Sequence, residues 1–253
     1  MSKLAKMMDV LDLFTPETPL ISVEEMADRL AISRPTAFRY VKELSSVGFL
    51  GKLGTRYALG ARVIELEYQF RQSSPILNAS AEVMRELAQA TASGVFLAHL
   101  LGTTVFNLQI EPPEAASLVT FGRGRPLPIL RGAASKVILA HLPTTRLKTI
   151  FEQHSDDIDH IATDFEQFAR YFRHIKKRGY YVSKEEVNQG VVGIAAPIFG
   201  DRRAILGSLV LVFEERRQKW MDEAGCAELV MSAAREITAR ISSAADEVIS
   251  APG

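Results

Sequence analysis

Residues 22–50 read Ser22-Val-Glu-Glu-Met-Ala-Asp-Arg-Leu-Ala-Ile-Ser-Arg-Pro-Thr-Ala-Phe-Arg-Tyr-Val-Lys-Glu-Leu-Ser-Ser-Val-Gly-Phe-Leu50, and a short glycine-containing hairpin carries the chain on to Tyr57. Ser22 is placed to cap a first helix, and Glu25 three residues later completes a capping box. Met26, Ala27 and Leu30 then share one face of that helix. Ala31-Ile32 makes a turn, and Ser33 caps a second helix that tolerates Pro35 because the proline stands in its first turn. On the second helix Ala37, Phe38, Val41 and Leu44 recur at helical spacing and are assigned to a core. Ser33, Arg34, Pro35, Thr36, Arg39, Tyr40 and Lys42 are left on or near its outer side, crowded towards the N-terminal half. A recognition helix presents base-reading side chains there when it enters a major groove. Strand-like Gly48-Phe49-Leu50, a turn over Gly51–Thr55 and the return Arg56–Leu59 read as a wing, with Lys52 and Arg56 placed for phosphate or the minor groove.

Charge supports a polyanionic partner locally and not globally. The 253 residues balance 30 basic against 30 acidic side chains, so no general affinity for polyanions follows. Between residues 29 and 62, however, Arg29, Arg34, Arg39, Lys42, Lys52, Arg56 and Arg62 face only Glu43, a local excess of six positive charges. Together with two capped helices and a hairpin, this predicts that the chain grips double-stranded DNA.

Hydrophobic residues make up 47% of the chain, ample for more than one core. No run of 18 uninterrupted apolar residues occurs, so no membrane partner is expected. Asp9 and Asp12 interrupt the only candidate leader, and the single Cys226 excludes an internal disulfide. A cytoplasmic location is the expectation.

Along the chain, residues 4–14 carry helical periodicity and close the small N-terminal core. A helix opening at Gly60-Ala61-Arg62 runs to Gln72, and Ser73-Ser74-Pro75 punctuates it. The predicted organisation is a DNA-binding domain over 1–60, a linker helix over 61–74 and a second domain over 75–253. That second domain reads as a helix over 76–91, then strands over 95–101, 104–110 and 118–121. Helices follow over 132–141, 144–153 and 163–178, then strands over 191–199 and 204–213, and a last helix over 220–248. Strands flanked by helices at both ends predict an α+β class, an antiparallel sheet with helices packed on it.

At this length the sequence resembles the IclR-type transcriptional regulators. The winged helix running into Arg56-Tyr57-Ala58-Leu59-Gly60 is one match. Gly124–Pro128 with Gly132–Ala140, Gly179–Glu186 and Gly190–Ile198 are three more, in order and at the family's spacing. The resemblance implies a GAF-like effector-binding domain, homodimers through the N-terminal helices and often homotetramers through the effector domains. It also implies control of catabolic genes by a small organic effector, commonly a carboxylate or aromatic acid. This chain departs from the family pattern in having Ser135-Lys136 where a Gly-Lys pair is usual. Some members place Ser or Cys on the late strands, where this chain has Gly193, Val210 and Val212. An apolar lining leaves a small hydrophilic acid uncompensated, which favours a ligand with a hydrophobic, aromatic body.

Backbone amides at Gly132, Ala133 and Ala134 would form an anion site at the start of the 132–141 helix. Arg131, and in the preceding loop Arg123 or Arg125, could pair a carboxylate. Leu118, Phe121, Leu127, Ile129, Gly193, Ile194, Val210 and Val212 are expected as apolar wall; the bulky ones are of the kind that more often form ordinary core, and a pocket within that core would be lined by the same residues.

No catalytic constellation is found, and no cofactor or metal site is expected. Gly122-Arg-Gly-Arg lacks the third glycine of a dinucleotide loop. Asp156, Asp157, Asp159 and His160 could hold a cation but fit a solvated loop better. Cys226 lacks the cationic neighbours of a reactive thiol. Glu185-Glu186 is read as two adjacent strand residues pointing to opposite faces. An enzyme that carries a winged-helix module, or a winged helix serving protein contacts, remain the alternatives to a ligand-controlled DNA-binding regulator.

Overall fold

The computed structural model describes residues 3–154, 157–158, 161–220 and 222–250. Their contacts divide the chain into two compact units, with the division between Ser74 and Pro75.

In the first unit, α1 (Lys3–Met8) stops at Asp9, and a 3-10 turn follows at Leu11–Leu13. The single helix expected over 4–14 is therefore broken, and the break delivers Val10 fully into the core. Helix α2 (Val23–Arg29) begins with the predicted box. Glu25 N–H donates to Ser22 Oγ at 3.2 Å, and Ser22 N–H donates to Glu25 Oε2 at 2.7 Å. Those hydrogen bonds hold the Glu25 carboxyl below its usual range, with the Arg56 and Arg29 charges adding to the effect. Ala31 takes the left-handed conformation (φ 52°) in the turn to α3 (Arg34–Ser46). Strands β1 (Leu50–Leu53) and β2 (Arg56–Leu59) pair antiparallel around a two-residue Gly54-Thr55 loop. The wing turn is thus shorter than predicted, and Lys52 stands within β1, opposite Tyr57. A Cβ on Gly60 would lie 2.2 Å from the Gly48 carbonyl, so only glycine lets β2 close against the end of α3. Helix α4 (Ala61–Ser73) completes the unit with no buried residue.

In the second unit, one five-stranded antiparallel sheet has the order β4-β3-β7-β6-β5. Its strands are β3 (Gly94–Leu101), β4 (Thr104–Glu111), β5 (Tyr181–Lys184), β6 (Val191–Phe199) and β7 (Ile205–Glu214). Helices α5 (Pro75–Thr91) and α9 (Glu223–Ser250) cover one face. Helices α6 (Ala133–Ala140), α7 (Thr144–Gln153) and α8 (Phe165–Arg178) gather at the other. Alternation sorts the strand residues between them. On β7, Leu209, Leu211 and Phe213 join the α5/α9 side, and Val210 and Val212 join the α6 side. Cys226 on α9 is buried in the first of these layers. Burial, then the Asp222 charge, pushes its thiol up, so it stays a protonated packing residue.

Helix α8 shows how local signals agree with packing. Asp164 accepts from Gln167 N–H at 2.9 Å, Phe168, Phe172 and Ile175 are buried, and Gly179 ends the helix at φ 79°. The strand expected over 118–121 is absent. A 3-10 turn (Pro113–Leu118) leads instead into an irregular segment. Its backbone groups bond to side-chain amides: Asn107 Nδ2 donates to the Phe121 carbonyl at 2.6 Å, and Thr120 N–H donates to Asn188 Oδ1 at 2.8 Å. Those amides replace a neighbouring strand. A further 3-10 turn (Glu215–Trp220) also precedes α9, which begins three residues after the expected start at Trp220.

His99 and His141 each hold a backbone carbonyl through Nδ1, at 2.6 Å (Leu206) and 2.9 Å (Val137). Burial lowers both imidazole pKa values below the ordinary 6.5. A depressed folded-state value means the unfolded chain binds protons first, so this stability is full above about pH 6.5 and is lost as pH falls below it. The thermal midpoint is therefore expected to drop as pH falls below about 6.5. The drop should be shallower in a His99→Asn/His141→Asn variant, and an identical slope in the variant would assign it to other groups.

Candidate DNA-binding face and effector pocket

Helix α3 buries Ala37, Tyr40, Val41 and Leu44, the i, i+3, i+4, i+7 stripe. This corrects two assignments. Tyr40, read as a base-reading residue, is only 4% exposed and belongs to the core. Phe38, read as core, is 59% exposed, because it lies outside that stripe. The solvent face is formed by Arg34, Pro35, Phe38, Arg39 and Lys42. Ser33 and Thr36 are committed to the cap: Thr36 N–H donates to Ser33 Oγ at 3.4 Å and the two hydroxyls lie 2.9 Å apart. On the wing, Lys52 is exposed without an ion pair among the described residues. Arg56 turns back to Glu25 (3.4 Å) and the Leu20 carbonyl (3.3 Å). Arg62 similarly meets Glu65 at 2.8 Å. The cations of this patch without a carboxylate partner among the described residues are therefore Arg34, Arg39, Lys42 and Lys52, while Arg29 acts on the Glu25 carboxyl.

In the second unit a cavity of about 80 Å³ opens on the α6 face of the sheet. Its floor follows from the register. Phe96 of β3 and Ala195 of β6 both oppose Val210, Gly193 opposes Val212, and Ser183 of β5 opposes Gly193. The absence of a side chain at Gly193 leaves room there: an added Cβ would sit 3.2 Å from Ser183 Oγ and 3.7 Å from Val210. Val119, Phe121, Leu127 and Pro128 wall the cavity from the segment pinned by Asn107 and Asn188, and Val187 and Val191 close the other side. Arg131, Gly132, Ala133 and Ala134 line it at the entry to α6. Arg131 is exposed and unpaired among the described residues.

Of the expected wall residues, Phe121, Leu127, Gly193, Val210 and Val212 are brought together here. Ile194 is a correction. It is one residue from Gly193 and so points to the opposite face, into the α5/α9 core. Leu118 and Ile129 pack on the α6-side cluster but do not line the cavity. Asn107, Ser183, Glu186 and Asn188 were not anticipated as lining residues. Asn107 had a signal in the sequence, an amide in mid-strand between Phe106 and Leu108. The others depend on how β5 and its following segment meet α6.

Glu186 changes the chemistry most. It does not lie in a strand: Glu185 takes φ 56° after β5, and residues 185–190 form an irregular segment. Glu186 Oε2 accepts from Gly132 N–H at 2.9 Å and lies 2.7 Å from Lys136 Nζ. The first amide of the expected anion site at α6 is thus already bonded to a carboxylate of the chain itself. Gly132, at φ 80° and with Val187 where a Cβ would go, lets that approach occur. Tyr181 OH donates to Glu186 Oε1 at 2.8 Å and accepts from Lys136 Nζ (3.2 Å) and Tyr171 OH (2.9 Å). Burial, then the bonds from Tyr171 and to Glu186, keeps the Tyr181 hydroxyl protonated far above the usual phenol range. Lys136 is almost wholly buried.

Among the described residues no three His, Cys, Asp or Glu side chains are grouped as for a metal ion. Asp156, Asp159 and His160 of the candidate cation loop lie outside the described residues. No described helix is long and apolar enough to cross a membrane.

Two family models match the chain: the bacterial transcriptional regulator IclR C-terminal region over residues 69–239, and the IclR helix-turn-helix domain over residues 3–54. The HTH-type transcriptional regulator KdgR of Escherichia coli is 24% identical over 232 residues, covering 87% of this chain and 86% of its own. An IclR transcriptional regulator structure from Silicibacter superposes with a TM-score of 0.80 at 22% identity, over 95% of this chain and 96% of that one. An IclR homolog from Microbacterium hydrocarbonoxydans, complexed with 4-hydroxybenzoate, superposes with a TM-score of 0.77 at 22% identity, over 95% and 99%.

Removing Glu186 leaves the buried Lys136 ammonium without its counter-charge. Glu186→Ala is expected to cost about 3 kcal/mol or more in urea unfolding, and a Lys136→Met/Glu186→Gln double variant should regain most of it. A single-variant loss under about 1 kcal/mol would show that water already screens the pair.

Proposed function

The chain belongs to the IclR family of bacterial transcriptional regulators and is a DNA-binding protein of that kind; on that premise we propose that a single-ring aromatic acid, held in the cavity over Gly193, controls its affinity for an operator. The observation that carries this reading is the cavity's composition. An apolar body of Phe96, Val119, Phe121, Leu127, Val210 and Val212 surrounds few polar groups. The Ser183 hydroxyl, which lines the cavity and has no hydrogen-bond partner among the described residues, is one of them. A hydroxyl both donates and accepts, so a ligand hydroxyl or carbonyl entering the cavity would find a hydrogen-bond partner there.

Size sets the orientation. Where one water needs roughly 10–15 Å³ of such space, about 80 Å³ accepts roughly five to eight heavy atoms. That is a benzene ring with one substituent, and it leaves a carboxylate at the mouth beside Arg131. The start of α6 is a poorer berth for the acid, since the Glu186 carboxylate is already there and like charges repel. The complex of one relative with 4-hydroxybenzoate supports this ligand class.

On the DNA side, Arg34, Arg39 and Lys42 of α3 and Lys52 of the wing are assigned to the duplex, with Arg56 positioning the wing through Glu25. The chain acts as a homodimer or homotetramer in this reading, supported by the exposed Ile64 and Tyr68 one turn apart on α4. Dimers would span two half-sites about one helical turn, or a multiple, apart.

Calorimetry on the full chain is expected to rank 4-hydroxybenzoate above glyoxylate, with Arg131→Ala weakening the aromatic acid about tenfold, the size of one lost charge-assisted bond. Equal affinity in the variant would remove Arg131 from the site, and tighter binding of glyoxylate would overturn the ligand class. Separately, Lys52→Ala should lower the slope of log affinity for DNA against log salt by about 1 without changing sequence preference. A change in preference with no change in slope would make Lys52 a base reader.

A further inference from the structure

The exposed ring of Phe38 has no packing role among the described residues. It joins no hydrophobic cluster and is 59% exposed, in the N-terminal half of a helix whose apolar stripe is complete without it. Its neighbours on the same face are cations: Arg34 one turn before it, Lys42 one turn after, and Arg39 beside it. None of the three has a carboxylate partner among the described residues, and Arg39 leans towards the buried Tyr40, its guanidinium carbon 5.7 Å from that ring. An apolar ring framed by unpaired cations matches a surface that is anionic at its edges and carries an apolar group between them. The major groove at a thymine is such a surface, with phosphates on both sides and the C5 methyl projecting into the groove.

We propose that Phe38 is a specificity-determining residue of this regulator, its ring packing on the 5-methyl group of a thymine in each half-site while Arg34 and Lys42 hold the flanking phosphates. The contact distinguishes thymine from cytosine, which presents a bare C5 in the same position and offers a donor where thymine offers an acceptor. A phenylalanine ring supplies no hydrogen bond, so the discrimination it adds is that of one buried methyl group. The proposal rests on α3 being the helix that enters the groove.

The test uses the full chain and a duplex enriched by it from a random-sequence library. That duplex is resynthesised with each thymine replaced in turn by deoxyuridine, which removes the methyl and leaves the hydrogen-bonding edge intact. The wild-type chain is expected to lose about fourfold in affinity at one position per half-site, the worth of one methyl-sized apolar burial. Phe38→Ala should bind the thymine duplex more weakly and show no uracil penalty at that position, and Phe38→Leu should keep part of it. Uracil penalties that are the same in wild type and Phe38→Ala would overturn the proposal. So would a Phe38→Ala variant that changes its mass in solution with those penalties intact, since the ring would then belong to a contact between copies of the chain. Arg39→Ala reports on the underlying helix assignment: unchanged base preference in that variant, together with no uracil penalty that depends on Phe38, would place α3 outside the groove and overturn the premise as well.

Discussion

A strand residue can face only one side of its sheet, and β6 and β7 use the two sides for different purposes. Leu209, Leu211 and Phe213 with Val192 and Ile194 fill the layer under α5 and α9. The residues between them, Gly193, Val210 and Val212, are left to form a floor under α6. A one-residue slip in the β6–β7 register would move this floor into the core and the core into the cavity. The pairing of β6 with β7 and of β7 with β3 therefore fixes both the stability of the unit and the place where a ligand can sit. Glycine at 193 keeps that place open, since a side chain there would crowd Ser183 Oγ and fill the space between it and Val210.

Above the floor, the Lys136–Glu186–Tyr181–Tyr171 network holds α6 to β5 and to the 185–190 segment. A buried ion pair is weak support for stability taken alone, because desolvation offsets much of the attraction. Here each partner is further bonded: Glu186 to Gly132 N–H and Tyr181, Lys136 to Tyr181 with its ammonium 4.9 Å from that ring's centroid. The network fixes the mouth of the cavity, since Glu186, Val187 and Asn188 are its wall and Gly132 opens α6. It also fixes the polarity of the site, by placing a carboxylate where a ligand's acid group would otherwise be drawn.

The sequence was most legible where signals are local. Ser22 with Glu25, Ser33 before Pro35, and Asp164 with Gly179 mark helix ends because their hydrogen bonds span three or four residues. Alternation and turn glycines likewise gave β3, β4, β6 and β7 to within a residue. Phe38 and Tyr40 were exchanged because several apolar residues on one short helix allow two stripes, and only the completed core selects Ala37-Tyr40-Val41-Leu44. Ile194 was misassigned by treating neighbours on a strand as sharing a face. Residues 118–121 look like a strand, yet their backbone partners are the Asn107 and Asn188 side chains, one of them 68 residues distant from Thr120. Glu186 could not be read from spacing at all, since its role exists only once β5 lies against α6.

Under the proposed function, ligand occupancy of the cavity over Gly193 changes how the winged helix holds DNA. Fluorescence anisotropy of the full chain on its enriched duplex, titrated with 4-hydroxybenzoate at fixed salt, measures that coupling directly. A shift in DNA affinity of about 5- to 150-fold, saturating with the occupancy seen by calorimetry, is the predicted result. An affinity for DNA that stays unchanged while the ligand demonstrably saturates the cavity would contradict it.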